Sequence, residues 1–210
     1  DTSDWPAEFL YVRRPNYYFS FFGGPEHNKQ CYGPATIWHP EIGMIVWSER
    51  DEDAHGWRTV KGDRYLERQS PQTMYFNSDD QPLATTEVAT LERELAGLRY
   101  ADPDNPQITK QVSFAEQSMT ISVRHDGMFN ELLPILVGQS DRFEQSASED
   151  SQVTWTYTDS EGRTIFTLTC EGVTDHARKI ISRDHLGKNL VRLTLSADGS
   201  LSYTFHFPQP

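Results

Sequence analysis

The residues that could do chemistry lie close together near the start of the chain. Tyr17 to Phe22 reads YYFSFF, with Arg13, Arg14, Asn16 and Asn28 around it. Aromatic rings stack on the C–H faces of a pyranose, and Arg or Asn side chains bond its hydroxyls. Arg13, Arg14, Tyr17, Tyr18 and Asn28 are therefore candidate saccharide contacts, although the same rings would also suit a buried core. His27 follows in a polar loop, between Glu26 and Asn28. An imidazole titrates near neutrality and can serve as a general base or acid, so His27 is the candidate catalytic group; the plain alternative is an ordinary loop residue. His39, in Trp38-His39-Pro40-Glu41, closes a strand and reads as structural.

Several chemistries are excluded by what the chain lacks. It has no Gly-x-Ser-x-Gly elbow, phosphate loop, dinucleotide fingerprint or His-Glu-x-x-His pair. Asp51 to Gly56 opens like a calcium loop, but His55 stands where an oxygen ligand belongs, and Gly62 where a bidentate Glu should be. It reads as a solvated loop. The seven histidines are not at ligand spacing with each other or with Cys31 and Cys170, so no metal and no cofactor is expected. The two cysteines read as small buried hydrophobes without a bridge between them.

The chain carries 31 acidic against 19 basic residues, a net charge of −12. That field repels phosphate backbones, so nucleic acid is not an expected partner. It also opposes tight binding of sulfated or uronic polymers, unless a local basic patch overrides it. No apolar run approaches the roughly 18 residues of a membrane-spanning helix, so no membrane is expected either.

The elements that must position these residues are strands. Ser118 to His125 alternates and ends at Asp126-Gly127. Val153 to Tyr157 alternates, turns over Asp159 to Gly162 and returns as Thr164 to Cys170. Leu190 to Ser196 turns at Asp198-Gly199 and returns to Phe207. A period of two puts alternate side chains on one face, and Asp-Gly supplies the positive φ of a hairpin turn. Further strands are expected at Phe9–Arg14, Asn16–Phe22, Ala35–His39, Ile42–Ser48, Trp57–Glu67, Thr73–Phe76 and Gln107–Phe114, with a polar loop from Gln139 to Ser151. Asp102 to Pro106 reads as a breaker, with a change of sheet there. Thr85 to Arg99 is ambiguous. Its composition favours helix, but sheet context is expected to win, with Leu91 and Leu95 inward. The fold class is thus all-β, a large antiparallel β-sandwich with little helix. Strand content is expected above roughly 45 %, against a usual share of 20–25 %.

Residues Tyr17 to Gly23, then Gly33 to Pro40 (GPATIWHP), then Ile42 to Ser48 (IGMIVWS) resemble the β-sandwich domain of polysaccharide lyases. The relevant enzymes are heparinase II/III-like, alginate-lyase-like and hyaluronate-lyase-like. The passage Ile121 to Ile135, with Glu131-Leu132-Leu133-Pro134, resembles the same domain. The resemblance implies a lyase-type supersandwich that is joined to a helical toroid in the full-length protein, and a polysaccharide or oligosaccharide partner. It implies β-elimination from a uronate, with His27 as base or carboxylate neutraliser. Arg13 or Arg14 and Tyr17 or Tyr18 would place the sugar. The toroid's catalytic groups have no counterparts here, so this chain alone is expected not to turn over. Residues 1–210 are read as a single domain, a C-terminal piece of a larger periplasmic or secreted protein. The rival readings are a stand-alone carbohydrate-binding module, a purely structural module and, more remotely, a hydrolase with paired carboxylates. An exposed aromatic platform would favour the binding module; an orphaned apolar face would favour the structural one.

Overall fold

The computed structural model describes residues 9–23, 32–49, 56–68, 73–84 and 95–208. The alternating segments form strands β1 (Phe9–Arg14), β2 (Tyr17–Phe22), β3 (Gly33–His39), β4 (Gly43–Trp47), β5 (Arg58–Lys61), β6 (Arg64–Tyr65), β7 (Thr73–Phe76), β8 (Pro82–Leu83), β9 (Gly97–Ala101) and β10 (Thr109–Phe114). Five more follow: β11 (Ser118–Gly138), β12 (Arg142–Glu149), β13 (Gln152–Thr158), β14 (Thr164–His185) and β15 (Lys188–His206). All pairings are antiparallel within one curled 15-stranded sheet. Helix among the described residues is confined to one 3-10 turn, Leu66–Arg68. The fold is all-β.

Three strands are far longer than hairpins allow. Asp126-Gly127 and Asp198-Gly199 are not hairpin turns: each lies inside a continuous strand, β11 and β15 respectively. Positive φ serves a bulge as well as a turn, so the Asp-Gly signal does not separate them. Gly127, Gly172 and Gly199 all have positive φ. The β11–β15 register shifts between Arg124 and Met128, opposite Asp198 to Ser200. The β14–β15 register shifts between Glu171 and Val173. The three irregularities line up across the sheet and bend β11, β14 and β15 together.

That bend makes the sandwich. Before it, β11 pairs with β10 on one side and the end of β15 on the other. β9, β7 and β8 continue outward from β10, and β14, β13 and β12 from β15. After it, β11 pairs with β4 and β5, and the order runs outward through β3 and β2 to β1. The two halves close over a shared core. Phe19 of β2 meets Phe114 of β10 at 5.2 Å, and Phe21 meets Tyr100 of β9 at 5.7 Å. Tyr17 of β2 stacks on Phe207, just beyond β15, at 4.8 Å.

Other expectations need correction. Residues 139–151 are not a loop: Arg142–Glu149 is strand β12, an edge strand with Phe143 as its one buried side chain. Its polarity reflects exposure on both faces. Asp102 to Pro106 does not change sheets; it connects β9 to its neighbour β10. Residues 97–101 are strand and Leu95 is buried, whereas residues 85–94, including Leu91, lie outside the described residues. Cys170 is a buried free thiol; Cys31 lies outside the described residues.

Candidate functional site

Strands β1 and β2 sort the predicted contacts by face. Tyr17 faces inward and is fully buried, donating its hydroxyl to the Ala115 and Ser118 carbonyls and stacking on Phe207. Burial pushes its phenol well above the usual range. Arg14 is half-buried and donates to the Leu95 carbonyl at 2.8 Å. A period of two turns both toward the core, Tyr17 with no exposed surface and Arg14 half-buried. His27 and Asn28 lie outside the described residues.

Arg13 and Tyr18 take the opposite face. Register pairs Arg13 with Tyr18, Tyr18 with Trp38, and Trp38 with Met44, so these side chains form one row across β1 to β4. The Arg13 guanidinium lies 5.3 Å from the centre of the Tyr18 ring. Tyr18 and Trp38 meet edge to face at 5.1 Å and 83°. Phe9 and Tyr11 extend the face along β1, and Tyr11 is 72 % exposed and Trp38 37 %. Arg13 has no acidic partner among the described residues. An exposed cation beside two tilted rings can hold a flat, partly apolar ligand that carries negative charge. Trp38 was missed as a contact from sequence. Its signal was its phase: it alternates with the buried Ile37 and His39.

The core holds a second constellation that motif reasoning missed. Glu67, Lys110 and Glu131 are fully buried together. Lys110 Nζ lies 2.9 Å from Glu67 Oε1 and 2.6 Å from Glu131 Oε1. Tyr100 donates to Glu67 and Tyr203 to Glu131, at 3.0 and 2.6 Å. Trp57 Nε1 reaches both Glu131 and the Tyr203 hydroxyl. The Thr59 amide bonds Glu67 and its hydroxyl bonds Glu131. Burial lifts the Glu67 carboxyl above its ordinary value, and Glu131 adds to this; the two carboxylates hold the Lys110 ammonium above its own. With no exposed member, the cluster is closed to substrate and ties β5, β9, β10, β11 and β15 together. The sequence signal was again phase. Lys110 is in step with Val112 and Phe114, and Glu131 with Phe129, Leu133 and Ile135. No group of three or more His, Cys, Asp or Glu among the described residues is arranged to hold a metal ion.

Among known proteins, no family model matches the chain, and no curated protein matches it in sequence. Solved structures do match in shape. Heparan sulfate lyase HepC from Pedobacter heparinus superposes with a TM-score of 0.53 at 11 % identity, over 97 % of this chain and 36 % of the lyase. The chain has a distant lyase-like β fold. HI1317 superposes with a TM-score of 0.50 at 10 % identity, over 95 % of this chain and 92 % of its own. At such identities the likeness is one of fold. The chain spans 36 % of the length of the lyase it matches.

Proposed function

We propose that this chain is a non-catalytic β-sandwich domain of a polysaccharide-lyase-like protein, and that the outer face of β1 to β3 holds an acidic glycan. The observation that carries the reading is the registered row Arg13–Tyr18–Trp38, with Arg13 and Trp38 exposed and Tyr18 half-buried between them, and with one cation that has no acidic partner among the described residues. The rings take the C–H faces of the sugar, and Arg13 pairs with a carboxylate or sulfate. Arg13 is the local basic feature that works against the net charge of −12. Two findings support the wider reading: the shape shared with part of a heparan sulfate lyase, and the two thirds of that lyase left uncovered, where a helical toroid would sit. Such a protein would work in the periplasm or outside the cell.

The test is calorimetric titration with heparan sulfate and chondroitin oligosaccharides. Trp38→Ala is expected to weaken binding by roughly tenfold, the equivalent of one aromatic contact of about 1.5 kcal/mol. Arg13→Ala should weaken it and flatten its salt dependence. Absence of binding, or affinity unmoved in both variants, overturns the reading. It would leave Phe9, Tyr11 and Trp38 as a face covered by the rest of a longer protein.

A further inference from the structure

The ends of three strand connections meet at a polar cleft away from the β1–β3 face. Pro15 and Asn16 come from the β1–β2 turn, and Pro40 and Glu41 from the β3–β4 turn. Arg163, Thr164 and Ile165 come from the start of β14, and Pro208 from beyond β15. The cleft encloses about 270 Å³. A more open groove of about 530 Å³ adjoins it at the shared Thr164 and Pro208 and is lined further by Ser118, Thr167 and His206.

His39 lines this cleft while being only 7 % exposed. Its ring stacks on Phe207, and Nδ1 accepts the Glu41 amide at 3.3 Å. A neutral imidazole that accepts at Nδ1 carries its proton on Nε2. That Nε2–H has no hydrogen-bond partner among the described residues. Burial, with Arg163 adding to it, holds His39 below its ordinary value and outweighs the opposing pull of Glu41, so the ring stays neutral at pH 7. Asn16, equally buried, makes only long contacts of 3.4 and 3.5 Å from Nδ2 to the Pro208 and Phe207 carbonyls. The cleft thus offers a free imidazole N–H and a weakly held amide, on side chains that are otherwise buried, for a ligand to bond.

Charge selects the ligand. Arg163 is held by Asp159 at 2.8 Å and Glu41 at 3.1 Å, with Glu161 at 3.5 Å. Three carboxylates already engage the one guanidinium, so an incoming anion meets net repulsion and no free cation. Pro15, Pro40, Pro208 and Ile165 supply apolar walls between the polar groups.

We propose that this cleft binds an uncharged sugar ring, with His39 Nε2–H and Asn16 bonding its hydroxyls and the prolines covering its C–H faces. The adjoining groove leaves room for the next unit of a chain. The site is separate from the Arg13–Tyr18–Trp38 face and has the opposite charge preference, so either can fail without the other.

The experiment is an amide and imidazole NMR titration of the chain with methyl glucoside, and with the methyl glycoside of glucuronic acid as its charged counterpart. Shifts are expected at Asn16, His39, Glu41 and Thr164, with the uronate bound roughly fivefold more weakly, as one like charge near the rim carboxylates requires. His39→Phe keeps the ring and removes the donor; Thr164→Val removes a rim hydroxyl. Loss of the N–H bond should weaken methyl glucoside by about fivefold or more. Should His39→Phe fail to fold, the wild-type shift map and the neutral-to-charged ratio decide. The proposal is overturned if neutral glycoside gives no shifts at the cleft, if the uronate binds as well or better, or if a folded His39→Phe binds undiminished.

Discussion

Lys110 sits between two carboxylates and all three are fully buried, an arrangement that is costly unless every member is bonded. Lys110→Met leaves Glu67 and Glu131 buried without a counter-charge, and is expected to cost about 3–5 kcal/mol at pH 7. The cost should depend on pH. Without the ammonium, the Glu67 carboxyl rises further above its ordinary value, since burial and the neighbouring Glu131 already push it up. A raised carboxyl contributes stability that is complete below its unfolded value and lost as pH rises through its folded one. The deficit therefore grows between pH 4 and 7. Lys110 itself is raised above 10.5, so the wild-type advantage is complete below that pH and fades as pH climbs through the folded value. Urea unfolding of both proteins across pH 4 to 11 tests this; a deficit constant across that range refutes it.

The bent long strands turn one sheet into two facing halves, and their glycines differ in what they tolerate. Gly199 has φ +73° and open space where a Cβ would point. Gly199→Ala should cost only the left-handed backbone penalty, about 1–2 kcal/mol. Gly172 has φ +80°, and a Cβ there would lie 2.7 Å from the Ser200 carbonyl oxygen on β15. Gly172→Ala must add a backbone clash to the same penalty, so its loss of stability should be the larger by at least about 1 kcal/mol. Denaturation midpoints of the two variants decide it; equal losses would mean that β14 and β15 part freely at the bend.

The function proposed above carries its own expectation, binding without turnover. The isolated chain should produce no unsaturated uronate from heparin, hyaluronan, chondroitin or alginate, followed by far-ultraviolet absorbance. An enzyme-dependent rise that survives repurification would show that the chain is catalytic by itself. It would also redirect attention to His27, outside the described residues.

How much of this was legible in sequence depends on the range of the forces concerned. Period-two patterning is local, because neighbouring side chains on a strand point to opposite faces whatever the strand pairs with. It was enough for the all-β class and for β1, β7 and the β13–β14 hairpin, whereas which of Tyr17 and Tyr18 faces the core was decided by the closing of the sheet. The same reasoning applied to Lys110 and Glu131 would have flagged two charges in apolar phase. Only tertiary structure decided whether Asp126-Gly127 and Asp198-Gly199 reverse the chain or bend it. Both outcomes use positive φ, and the choice lies with the partner strand, which is far away in sequence. Tertiary structure also assembled the charged cluster from residues 57 to 203, and the cleft from residues 15 to 208. Such contacts follow from how the bent sheet closes on itself, and no local pattern encodes that closure.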